Sequence, residues 1–331
     1  MKHTLINGAA FALAFIFFKT THTGDFDKTY YQEKTKDMIC FESDGTPKPH
    51  FLGLLETLRP RHLKTKEYLA HDGTRQSVLQ MAQDAFYHGS VEHYQIKDDP
   101  AYPLKTVQPL LEKLGVLRAY APPKKEYKSA IFFDGNMLWD RERQSMLIDT
   151  WNTGTRFESV HICTGNHLFD PHERYKREDY FELDKYGLKK RKAFNENWWN
   201  PLGKTDEYIL HMFFNQVEMP PELLQVDKHL VVSEVNPETG ARPNTESNAR
   251  GFLACECRPS GMHLGISNGP HVPYQKIVSV YTLLKARCDT VQVDVVGRKD
   301  PGDLTAIQHL DRASRLAYVE SAFLDELGSI K

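Results

Sequence analysis

Stretches of this chain with a readable hydrophobic period alternate with stretches that have none. The clearest regular block starts at Lys128-Ser-Ala-Ile-Phe-Phe-Asp134, an apolar run that stops at a carboxylate and then at the turn residues Gly135 and Asn136. A short apolar run bounded by turn residues predicts a strand buried on both faces, here Ser129 to Phe133. Arg141 to Trp151 follows as a helix with Leu147, Ile148 and Trp151 on one face, and Ser159 to Thr164 reads as a second strand. A β-α-β unit of this length favours parallel pairing.

The end of the chain is equally regular. Ile277, Val280, Tyr281 and Leu284 keep the spacing of an amphipathic helix. Val291 to Val296 then reads as a strand, residues 297 to 303 as a loop, and Leu304 to about Leu327 as a closing helix. Between these blocks, residues 166 to 225 are charged and aromatic without a clear period. Strands are expected again at His229 to Val235, Gly251 to Cys257 and His263 to Ser267. Residues 20 to 127 are polar, with helical patterns at Phe51 to Leu58, Arg75 to Phe86 and Leu104 to Leu117, and Pro122-Pro123 closes that region.

These elements predict an α/β protein built on a Rossmann-like parallel sheet. Pro122-Pro123 marks a boundary, so residues 1–127 are expected as an extension preceding the regular part. With 331 residues, 40% hydrophobic and 26% charged, the chain is long enough for two domains or for one domain with a large insertion. The net charge of −2 gives no bulk attraction to nucleic acid or anionic lipid. The five cysteines form no regular framework and read as reduced thiols. Leu5 to Phe18 has the length of a signal-peptide apolar region, too short for a transmembrane span. A secretion signal and a buried first element both remain open there, with a cytoplasmic location slightly favoured.

Four polar positions fall at the ends of these elements. Asp134 closes the first strand, Thr164 closes the second, Lys276 opens the late helix, and Asp300 and Asp303 follow the last strand. In open α/β sheets, ligands collect at the carboxyl ends of strands. This order resembles the motifs of the haloacid dehalogenase superfamily of phosphohydrolases. The resemblance implies a Mg²⁺-dependent phosphatase with Asp134 as nucleophile and metal ligand, and a core from 128–165 and 270–331 that carries an inserted cap over 166–269. Thr164 and Lys276 would hold the phosphoryl group, Asp300 and Asp303 would complete the magnesium site, and the substrate would be a phosphorylated small molecule or phosphoprotein. The physical demands agree. A carboxylate attacks phosphorus only when cations neutralise the transferring group, and Mg²⁺ prefers hard carboxylate oxygens.

Other readings stand beside this one. Asp25-Phe-Asp27-Lys-Thr29 also fits the first motif, or is a surface turn. Ile131 to Leu138 resembles the opening of NYN/PIN-type ribonucleases, which would make nucleic acid the substrate. The third reading is a catalytically silent binding or interaction protein on the same fold. Asn136 favours it, since an amide at the position of the family's second Asp exchanges no proton near neutral pH.

Overall fold

The computed structural model describes residues 26–58, 72–88, 96, 99, 102–166, 181–195, 205–235, 243–255, 258, 260–299 and 304–330. The chain divides into two compact units, a sheet unit that includes 121–268 and 290–298, and a helical unit of 26–120, 269–289 and 299–331.

In chain order the described helices are α1 (Thr29–Lys34), α2 (Pro49–Thr57), α3 (Arg75–Phe86), α4 (Leu104–Leu114), α5 (Met137–Asn152), α6 (Thr205–His211), α7 (Pro221–Gln225), α8 (Thr245–Ala254), α9 (Val272–Lys285) and α10 (Ala306–Ser329). The strands are β1 (Glu126–Phe133), β2 (Arg156–Gly165), β3 (Asp227–Ser233), β4 (Gly261–Ile266) and β5 (Val291–Val296). The strands form one all-parallel sheet in the order β3-β2-β1-β4-β5. This is the α/β, Rossmann-like fold that the buried apolar runs predict. The chain winds outward from β1 to β3, then returns to place β4 on the other side of β1. In open α/β sheets such a reversal marks the strand ends where ligands collect, here those of β1 and β4.

The alternation of strand side chains builds the two faces differently. On one face Ala130, Phe132, Val160, Ile162, Leu264 and Ile266 pack with Met137, Leu147 and Trp151 of α5 and with Tyr208 and Ile209 of α6. The other face is partly polar. His161 lies against His229, with ring centroids 4.9 Å apart, and Phe252 of α8 packs edge-on against both His161 and His263. Ser129 Oγ is 2.8 Å from His263 Nδ1.

Two boundaries depart from the sequence reading. Residues 166–269, expected as an inserted cap, supply β3 and β4 to the sheet itself. Of 270–331, expected in the core, only 290–298 groups with the sheet. The stretch expected as a strand from Gly251 is the second half of α8, whose first turn carries a reciprocal cap: Ser247 N donates to Asn244 Oδ1 at 3.0 Å and Asn244 N to Ser247 Oγ at 2.7 Å. Cys40, Cys163 and Cys288 are free thiols, whereas Cys255 is disulfide-bonded and departs from the all-thiol expectation.

In the helical unit α10 packs against α9, α3 and α4. Its buried Glu320 accepts the backbone N–H groups of Ile39, Cys40 and Phe41 at 2.6, 2.7 and 3.3 Å. That carboxyl fixes the turn after α1 to the closing helix. No helix among the described residues is long and apolar enough to cross a membrane.

Candidate site at the carboxyl edge of the sheet

Asp134 follows the last residue of β1, and its N–H continues the ladder to Cys163 O at 2.8 Å. Its side chain turns toward β2, where Oδ2 accepts the Thr164 hydroxyl at 2.7 Å and the Gly165 N–H at 3.4 Å. The structure therefore brings Asp134 and Thr164 together, as neighbouring parallel strands must when their ends are level. Asn136 is the N-cap of α5, its Oδ1 accepting Trp139 N–H at 3.0 Å, so its amide serves the backbone.

The partners that complete this cluster come from inside α5. Asp140 is 1% exposed, and its Oδ1 accepts Gly135 N–H at 2.9 Å. Burial, then the neighbouring Asp134 charge, pushes the Asp140 carboxyl well above the usual carboxylate range, against the opposing charge of Arg143. Arg143 is also 1% exposed. Its Nη1 donates to Phe133 O at 2.7 Å, its Nε to Asn268 Oδ1 at 2.8 Å, and Nη1 stands 3.9 Å from Asp140 Oδ1. Burial lowers the Arg143 pKa, while the Asp140 and Asp134 charges oppose that.

Gly135 is required by this packing. A Cβ there would meet Arg143 Nη1 at 2.7 Å, and the guanidinium is pinned at both ends. The Asp134-Gly135 turn is thus shaped by a side chain eight residues downstream of the glycine.

A second set of polar groups lies at the ends of β2 and β3. Ser233 closes β3 opposite Gly165, which has no side chain to cover it. Asn166 N donates to Ser233 O at 2.8 Å, and Asn166 Nδ2 to Glu234 Oε2 at 2.7 Å. Asn248, in the second turn of α8, donates Nδ2 to Cys163 O at 3.3 Å. Ser233 Oγ and Asn248 Oδ1 are buried without a hydrogen-bond partner among the described residues. Buried polar atoms in that state signal a water or a ligand that supplies the missing bond.

The remaining expected site residues lie elsewhere or outside the described set. Lys276 belongs to the helical unit, where its Nζ pairs with Asp37 Oδ2 at 2.9 Å. Asp300 and Asp303 lie outside the described residues, as does Asp25. Asp27 is exposed and accepts Thr29 N–H at 2.9 Å, which is the surface-turn alternative for that motif. Its carboxyl is held below the usual range by hydrogen bonds from Thr29. Among the described residues, no group of three or more His, Cys, Asp or Glu side chains is placed to hold a metal ion. At the strand ends, Asp134 is the one expected magnesium ligand described, and the charge facing its cluster is the cationic Arg143.

The sequence reading missed Asp140, Arg143, Asn268, Ser233 and Asn248. One signal for the first two was present. Apolar residues occur all round α5, including Met137, Leu138, Met146, Leu147, Ile148 and Trp151, so the helix has no wide polar face on which to expose Asp140, Arg141 and Arg143. No protein-family model, no curated protein and no solved structure matches this chain.

Proposed function

We propose that the chain is a ligand-binding protein, taking a small molecule rich in hydroxyl or amine groups at the carboxyl edge of its sheet. In this reading the Asp134 cluster holds that edge in shape and is not a seat of phosphoryl transfer. The observation that carries it is the cluster's internal charge balance. Asp134 is tied to Thr164 and Gly165, and the acid beside it is balanced by a buried arginine whose own donors end on Phe133 O and Asn268. A guanidinium already standing against these carboxyls supplies the compensation that a metal or a cationic substrate group would otherwise bring. Open hydrogen-bonding capacity lies on the buried Asp134 Oδ1 and, beside the cluster, on Ser233 Oγ and Asn248 Oδ1, with the Glu234 carboxylate close by in sequence. A hydroxyl that both donates and accepts, beside oxygens that only accept, recognises hydroxyl and amine groups.

A second reading, the Mg²⁺-dependent phosphohydrolase acting on a phosphorylated substrate, is favoured by the Asp134–Thr164 contact and by Asp140. A carboxyl held toward its protonated form would supply the acid that Asn136 lacks. Asp300 or Asp303 would then complete the magnesium site.

One experiment separates them. Purified protein is screened for thermal stabilisation by free sugars, nucleosides and diamines at millimolar concentration, in wild type and in Ser233→Ala/Asn248→Ala. In parallel it is offered p-nitrophenyl phosphate and single-stranded RNA with Mg²⁺, with Asp134→Asn as control. Stabilisation that the double variant loses supports the binding reading. Phosphate release lost in Asp134→Asn replaces that reading with the hydrolase, and RNA cleavage replaces it with the nuclease. Silence in every arm rejects this ligand class.

A further inference from the structure

The helical unit contains a cavity of about 420 Å³, within the size range of small-molecule pockets. Its floor is apolar, with Met38, Ile39, Leu114, Ile277 and Val280 all buried. Its walls carry Lys34, Lys36, Lys48, Lys113, Arg118 and Lys276 against the carboxyls of Asp37, Glu112 and Glu320. Each of those carboxyls is already engaged. Asp37 pairs with Lys276 at 2.9 Å, Glu112 faces Lys299 at 3.5 Å, and Glu320 is enclosed by three backbone N–H groups.

Among the cations, Lys276 is taken by Asp37 and Lys48 stands 4.0 Å from Glu42. Arg118 lies over the ring of Tyr120, which leaves its charge in place. Lys36 and Lys113 have no anionic partner among the described residues. The result is a concave site with an apolar base and a surplus of positive charge at its rim. That combination suits a ligand with an apolar body and an anionic head, the two parts being recognised by burial and by charge-assisted hydrogen bonds.

We propose that this cavity binds a small, soluble organic anion, with the apolar body on Ile39, Leu114 and Ile277 and the anionic group among Lys36, Lys113 and Arg118. It is a site separate in chemistry from the carboxyl edge of the sheet, whose open atoms are hydroxyl, amide and carboxyl oxygens. The proposal does not depend on what that edge binds.

Isothermal titration of the full-length chain with phenylphosphonate, which no phosphatase hydrolyses, tests it. Inorganic phosphate and benzyl alcohol present the head and the body alone. Phenylphosphonate is expected to bind at least about tenfold more tightly than either. Lys36→Glu/Lys113→Glu is expected to weaken it by about tenfold or more, whereas Lys285→Glu, an exposed charge outside the lining, leaves it unchanged. Far-UV circular dichroism checks that both variants are folded. Absence of phenylphosphonate binding overturns the proposal. So does binding that ignores the Lys36/Lys113 change, falls equally in Lys285→Glu, or is matched by phosphate or benzyl alcohol.

Discussion

Replacing Arg143 by Met tests the charge balance of the sheet unit most directly. Methionine keeps much of the side-chain volume, so the cavity contribution is small. What is lost is the pair of donors to Phe133 O and Asn268 Oδ1, at 2.7 and 2.8 Å, and the cation facing Asp140. Breaking a buried charge pair by removing one partner costs about 3–5 kcal/mol. Because Asp140 can take up a proton, the lower end, about 3 kcal/mol near neutral pH, is expected.

The pH dependence follows from the direction of the shift. Asp140 has a folded-state pKa raised above its unfolded value, so its favourable contribution is complete below the unfolded carboxylate range and is lost as pH rises through the folded value. Arg143 opposes that rise, and its removal raises the folded value further. The destabilisation of Arg143→Met relative to wild type therefore grows between a pH in the unfolded carboxylate range and a pH well above it. Urea unfolding followed by tryptophan fluorescence measures this in one unit, since all four tryptophans lie within residues 121–268. With a urea slope of about 3 kcal/mol per molar, the midpoint should fall by about 1 M near neutral pH. Asp140→Asn added to Arg143→Met should restore more than about 1 kcal/mol, because the stranded acid is gone. Equal destabilisation at both pH values, or a strictly additive double variant, would refute the coupling.

Three further outcomes are expected. Gly135→Ala should destabilise the sheet unit by about 1–3 kcal/mol through overpacking against Arg143, and Gly135→Ala in the Arg143→Met background should cost clearly less; both are read by the same fluorescence assay. Thr164→Val removes the hydroxyl held by Asp134 and should cost about 1.5–3 kcal/mol, the scale of a hydrogen bond to a charged group, in the same unfolding experiment. In the helical unit burial pushes the Glu320 carboxyl up to about 7, against the hydrogen bonds from Ile39, Cys40 and Phe41. Its contribution is complete below the unfolded carboxylate value and is lost as pH rises through about 7, a loss of about 3 kcal/mol. Hydrogen exchange of residues 38–41 should accelerate over that window beyond its intrinsic pH dependence in wild type, and the excess should vanish in Glu320→Gln.

Particular elements show what could be read before the chain was folded. The runs ending at Phe133, Thr164 and Val296 were legible as buried strands, because a strand covered on both faces leaves a continuous apolar signature. From the β-α-β spacing of the first two, the closeness of Asp134 and Thr164 followed, since parallel neighbours bring their carboxyl ends level. The stretch around Gly251 was not legible, because an apolar run of that length is equally a buried strand or part of a buried helix. Its cap at Asn244 decides for the helix, through bonds that exist only once the turn has formed. The region from 166 to 225 hid its role for the opposite reason. Its apolar residues are spread without a period, and the strand that follows it reaches the sheet only by pairing with β2.

The sequence by itself determined the fold class and the position of the Asp134 turn, because both rest on local apolar patterning and on the end of one strand. Tertiary structure decided what that turn is made of. Asp140 and Arg143 reach it through the packing of α5, Asn268 through the placing of β4 beside β1, and Ser233 and Asn248 through the pairing of β3 and the docking of α8. It also gave Lys276 to Asp37 in the helical unit. A charge in a sequence carries no address, and its partner is fixed only when burial removes the alternative of water.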